Sequence, residues 1–138
     1  MGDPKPTRRR AVDWALTGVV ALVMIIGGGV AHFAAPQGFA ALVPAFLPAV
    51  PVILAAGAVQ IMIGIAALVP RSRHWGGLAF AALCAAYLPL HLWDFIRPDP
   101  VFAPPVAATI RCGVQGLFIW AGLALWRRTG PAAPRLAG

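Results

Sequence analysis

Four apolar runs of about 20 residues each decide what this chain can fold into. A helix of that length rises about 30 Å, the thickness of a bilayer's hydrocarbon core. The runs cover residues 11–33, 50–69, 75–96 and 105–126. They predict an all-α protein, a four-transmembrane-helix bundle. A water-facing fold has too little to cover itself with: of 138 residues, 60% are hydrophobic and 11% charged, with a mean hydropathy of +0.81. A soluble domain carries about 25% charged residues. The first run follows Lys5 and Arg8 to Arg10, as a signal peptide's would. It is too long for such a peptide and no A-x-A site follows, so it reads as a retained helix.

The net charge of +7 does not point to nucleic acid, because the basic residues form short clusters between apolar runs and no basic face. Their placement reads instead as orientation. If four helices alternate, Lys5, Arg8, Arg9, Arg10, Arg71, Arg73, Arg127, Arg128 and Arg135 all fall on one side. Arg97 alone falls on the other, offset by Asp94 and Asp99. Cytoplasmic loops carry the excess of Lys and Arg, which predicts both termini inside, N-in/C-in. Anionic lipid headgroups are a secondary attraction for the same charges. The expected organisation is a basic tail at 1–10, a membrane domain at 11–128 and a disordered tail rich in Pro, Ala and Gly at 129–138.

Between the first two runs, residues 34–49 are uncharged and greasy, which predicts an interfacial or re-entrant segment broken by Pro44 and Pro48. Residues 97–104, with three prolines, predict a stiff cap. Glycines at 27–29, 57, 64, 76, 77, 113 and 116 predict close helix packing. Cys84 and Cys112 lie inside apolar runs without metal-ligand or CxxC spacing. They read as small packing residues, with a disulfide or redox pair as the alternative.

Polar side chains inside a span are costly and therefore informative. They are His32, Gln60, His91, Asp94, Arg111 and Gln115. By helical rise, Arg111 sits roughly 9 Å and Gln60 about 15 Å from the end that faces away from the basic loops. All six fall in that outer half or near the middle; the inner half holds only Thr17, with Asp13 at its edge. Arg111 cannot deprotonate and must pair or snorkel, and Asp94 is the carboxylate placed for it. Several readings stay open: a hydrogen-bond network that sets helix register, an outward-facing pocket for a quinone, lipid or other amphipathic ligand, a metal site at His32, His91 and Asp94, and a proton relay. No hydrolase motif, P-loop or HExxH is present, so no catalytic residue is assigned.

In chain order these residues sit in segments that resemble the DoxX-like family of small four-helix bacterial membrane proteins. The matching stretches are AHF at Ala31–Phe33, Pro36, VPAFLP at Val43–Pro48, GAVQIMIGIAALVPRSR at Gly57–Arg73, YLPLH at Tyr87–His91 and RCGVQ at Arg111–Gln115. Two positions depart from the pattern: Gln60 stands where the family often has glutamate, and His91 where asparagine is common. The resemblance implies a four-helix fold in a bacterial cytoplasmic (inner) membrane. It also implies a connection to redox systems, since the family's name comes from a subunit associated with a thiosulfate:quinone oxidoreductase. Three functions are carried forward: a pocket protein for a quinone or lipid, a non-enzymatic accessory subunit of a larger membrane complex or homo-oligomer, and a small transporter.

Overall fold

The computed structural model describes residues 6–130. Lys5, Arg135 and most of the two expected tails lie outside the described residues. Helix α1 spans Pro6–Ala21 and passes without a break into a π-helical stretch, Leu22–Val30, and then into the single turn α2, Ala31–Ala34. A short 3-10 helix comes next at Pro36–Leu42. The remaining helices are α3 at Ala49–Leu68, α4 at Arg73–Trp93 and α5 at Val106–Thr129. Four stretches are long and apolar enough to cross a membrane: Thr7–Ala34, α3, α4 and α5. There is no strand among the described residues.

Prolines set several of the boundaries. Pro51 falls in the first turn of α3, where a missing N–H costs nothing. Pro70 ends that helix by forcing Val69 into extended backbone, at φ −75° and ψ 121°. Pro104 and Pro105 precede the start of α5. Pro89, by contrast, lies inside α4 and removes the N–H that Ala85 O would otherwise receive.

Three boundaries differ from the sequence expectation. Arg8 to Arg10 sit on α1 instead of in a tail, because the helix already starts at Pro6. Helix α4 stops at Trp93, so Asp94 lies at its C-cap and not inside a span running to residue 96. At its far end α5 continues to Thr129. The segment 34–49 is a 3-10 helix followed by turns, with Phe46 84% exposed.

Neighbouring helices run antiparallel. Arg128 at the end of α5 meets Asp13 and Arg9 near the start of α1, while Arg97 beyond α4 meets Ala41 O beyond α2. The helices succeed one another around the bundle as α1, α3, α4, α5, and the α4–α5 seam is the most extensive. That seam closes on glycine. A Cβ at Gly122 would lie 2.7 Å from Gly77 O and 2.9 Å from Ala81, so only a hydrogen there lets the two backbones meet.

The apolar core lies toward the end carrying Arg73 and Arg128, called the basic end below. It is built from Val20, Met24, Ile63, Ala67, Phe80, Cys84 and Leu125. Outward, the spans present Trp14, Leu22, Ile26, Met62, Ile65, Ile110, Leu117 and Trp120, each at least half exposed. A continuous surface of large apolar side chains is one that lipid covers, and this is a multi-pass membrane protein by the length and composition of its helices.

Candidate functional site

Toward the end opposite the basic one, the interior becomes polar. Gln60 on α3 is 3% exposed and lies across from Gly28 of the π-helical stretch. A Cβ at Gly28 would fall onto Gln60 Oε1, so the glycine is what admits the amide. Gln60 Nε2 donates to Tyr87 Oη on α4 at 3.4 Å. One helical turn further along the same face of α4 comes His91, 9% exposed. Because α5 runs antiparallel to α4, Gln115 meets Cys84 and donates from Nε2 to its backbone oxygen at 2.6 Å. Arg111, one turn nearer the loops, comes within electrostatic reach of His91 and Asp94.

The expected bridge between Arg111 and Asp94 does not form. Asp94, 2% exposed, is engaged by its own loop: Val101 N–H donates to Oδ1 at 3.0 Å, and Arg97 Nη1 stands 3.8 Å from the same oxygen. The 97–104 loop folds back, and in doing so it also lays Phe102 against Arg111, with the guanidinium carbon 4.0 Å from the ring centroid. Arg97 completes this end by donating to Ala41 O at 3.2 Å and lying 4.9 Å from the Trp93 ring.

His32 is only partly drawn into the cluster. Its Nδ1 is hydrogen-bonded to Gly28 O, and its ring stacks on Phe39 of the 3-10 helix at 4.2 Å. Its Cβ lies against Gly57 of α3, one turn from Gln60. Among the described residues no three His, Cys, Asp or Glu side chains converge as metal ligands would, His32, His91 and Asp94 included. Cys84 and Cys112 are both free thiols.

Three buried polar atoms lack a partner among the described residues: Gln60 Oε1, His91 Nδ1 and Arg111 Nη1. All three belong to candidate residues picked out from the sequence. Leaving such a group unpaired costs about 1–3 kcal/mol, more for a charged one, so their concentration in one region is a chemical feature of it. The arginine can only donate, the amide oxygen can only accept, and the imidazole nitrogen does either according to its tautomer.

The family model described as a domain of unknown function, DUF8561, matches residues 16–126, and with them all six candidate residues. The chain belongs to the DUF8561 family. No curated protein and no solved structure matches it.

Some residues of consequence escaped sequence reasoning. Tyr87 was visible only as part of YLPLH; its i, i+4 spacing from His91 and the polar Gln60 on another helix were the available signal. Phe39 sits in the short 3-10 helix and Phe102 in a loop, and neither stretch is long enough for a periodicity to encode its contacts.

The basic end, expected to be inert packing beyond Thr17 and Asp13, has a polar clamp of its own. Arg128 Nε pairs with Asp13 Oδ1 at 2.6 Å. Arg73, only 9% exposed, donates to Ala67 O at 3.2 Å and Leu68 O at 3.3 Å and lies 4.2 Å from the Trp14 ring. It thereby covers carbonyls that the last turn of α3 leaves without helical donors. Thr17 is fully buried and donates to Asp13 O at 2.8 Å.

Proposed function

We propose that this protein is a DoxX-like binding protein of a bacterial cytoplasmic membrane, oriented N-in/C-in, whose outward-facing polar cluster takes a quinone or a lipid. In this reading the basic end faces the cytoplasm, in keeping with the excess of arginine there. The segment around Pro36–Leu42 lies at the opposite interface. The observation that supports it best is the set of three buried, unpartnered atoms, Gln60 Oε1, His91 Nδ1 and Arg111 Nη1. A ligand oxygen accepting from Arg111 or His91, with a donor for Gln60, would satisfy them. Both a quinone or quinol headgroup and the ester and hydroxyl groups of a lipid have such oxygens. The apolar surface of the spans gives the rest of an amphipathic molecule a path along the lipid. No catalytic step is assigned.

The test is purification in mild detergent, then extraction and mass analysis of the bound small molecules. A quinone or one defined lipid is expected with the wild type. Arg111→Ala should retain it at least about tenfold less, the equivalent of one charged hydrogen bond. If nothing defined co-purifies and Arg111→Ala alters stability alone, the pocket reading is wrong.

A second reading, an accessory subunit of a larger membrane complex or a homo-oligomer, is favoured by one observation. Gly113 and Gly116 lie exposed on α5 and a Cβ at either would meet nothing within 4 Å. Another helix could approach closely there. A second polypeptide retained in the same preparation, with no small molecule, would support this reading.

A further inference from the structure

At the basic end, away from the polar cluster, the first turns of α1 and the last turn of α5 enclose an open recess of about 220 Å³ lined by Arg8, Arg9, Val12 and Arg128. We propose that this recess is a binding site for the phosphodiester headgroup of an anionic phospholipid.

The charge balance supports an anion. Asp13 is the one carboxylate among the described residues at this end, and Arg128 already holds it at 2.6 Å. Arg8 and Arg9 are exposed and take part in no ion pair among the described residues. The Arg128–Asp13 pair, with a further bond from Arg128 Nη2 to Arg9 O at 3.3 Å, ties the α5 end to α1 and so fixes the recess between two helices. Guanidinium groups set in this way suit the oxygens of a phosphate, which they bind in pairs of parallel hydrogen bonds.

Size and position favour a lipid as the source of that phosphate. Pockets that enclose a whole small molecule run to roughly 300–1,000 Å³, so this recess suits one charged group whose remainder lies outside. Val12, 40% exposed, supplies an apolar wall beside the arginines. Just beyond it Trp14 is 56% exposed, and Trp75, also at this end, is 60% exposed. Exposed tryptophans at a span's end mark the headgroup level of a bilayer. A phosphate held by Arg8, Arg9 and Arg128 would therefore sit at headgroup depth, with its acyl chains along the apolar face of α1.

The experiment uses the full chain in mild detergent, with native mass spectrometry counting bound phosphatidylglycerol, phosphatidylcholine as the zwitterionic comparison, and inorganic phosphate as competitor. One retained phosphatidylglycerol per chain is expected, and no retained phosphatidylcholine. The double variant Arg8→Gln/Arg9→Gln should hold phosphatidylglycerol roughly thirtyfold more weakly, from two near-surface charges. The equally charged control Arg71→Gln/Arg127→Gln, which removes exposed arginines outside the recess, should change it less than about threefold, since screening weakens distant charges. Equal retention by wild type and Arg8→Gln/Arg9→Gln would overturn the site. Equal weakening in the control pair would do so too, because a diffuse basic surface would then account for the binding. Displacement of the lipid by millimolar inorganic phosphate, with the same dependence on Arg8 and Arg9, would overturn the lipid as the source and leave a free-phosphate site.

Discussion

A methyl group added at Gly28 would meet the amide of Gln60, whereas one added at Gly113 would meet nothing within 4 Å. Both glycines look alike in the sequence, as small residues in an apolar run. The difference is the neighbour, and it yields opposite outcomes. Gly28→Ala must push Gln60 aside and disturb its bond to Tyr87, at a cost of about 1–3 kcal/mol. Gly113→Ala removes backbone freedom in an exposed helix and should gain up to about 1 kcal/mol. Unfolding midpoints in mixed detergent micelles will show whether the two substitutions move in opposite directions. At the same scale, the identities of His32, Gln60, His91, Asp94, Arg111 and Gln115 as candidates were legible because a polar group in an apolar run stands out. Their partners were not. Asp94 was assigned to Arg111 because no other buried carboxylate existed, yet the Val101 N–H and Arg97 of the same loop reach it first.

Between elements, what matters is whether the obstacle to a close approach can move. At the α4–α5 seam a Cβ on Gly122 meets the backbone oxygen of Gly77, and one on Gly77 meets Gly122 O and Trp126 N, each at 2.9 Å. Backbone atoms cannot rotate away as the Gln60 amide can. Gly122→Ala should therefore cost more than Gly28→Ala, near the upper end at about 3 kcal/mol, by forcing the two helices apart. The comparison of the two midpoints is the measurement, and an equal or smaller loss at Gly122 would contradict a seam closed by backbone contact. The first span carries a different device. Its triple glycine was expected to allow close packing, and Leu22–Val30 is in addition wound as a π-helix, which is wider than an α-helix and shifts the register of the residues after it. His32 comes after that shift, stacked on Phe39, so its facing could not be derived from a 3.6-residue repeat.

Across the whole molecule, the antiparallel arrangement places Arg8 to Arg10, Arg71, Arg73, Arg127 and Arg128 at one end, and Asp94, Arg97 and Asp99 at the other. In a bilayer oriented by its basic loops, a cysteine placed at residue 99 should react with a membrane-impermeant maleimide on intact cells. One placed at residue 71 should react only after the cells are opened. Cys84 is buried and Cys112 half-buried within the spans, so neither should contribute much background. Labelling at residue 71 in intact cells would reverse the orientation, and with it the side to which the polar cluster opens.

The sequence by itself determined the number of spans, their alternation and the concentration of polar side chains toward one end. These come from local properties, the length and hydropathy of each run and the position of a residue along it. Only the tertiary structure decided which groups meet. Arg111 lies over Phe102, Asp94 is held by Arg97 and Val101, and Arg73 and Arg128 turn inward at an end expected to be inert. Those choices depend on how far each helix is rotated, where a π-helical stretch shifts the register and how a loop folds back. Such features come from packing several segments together, and no single run of residues contains them.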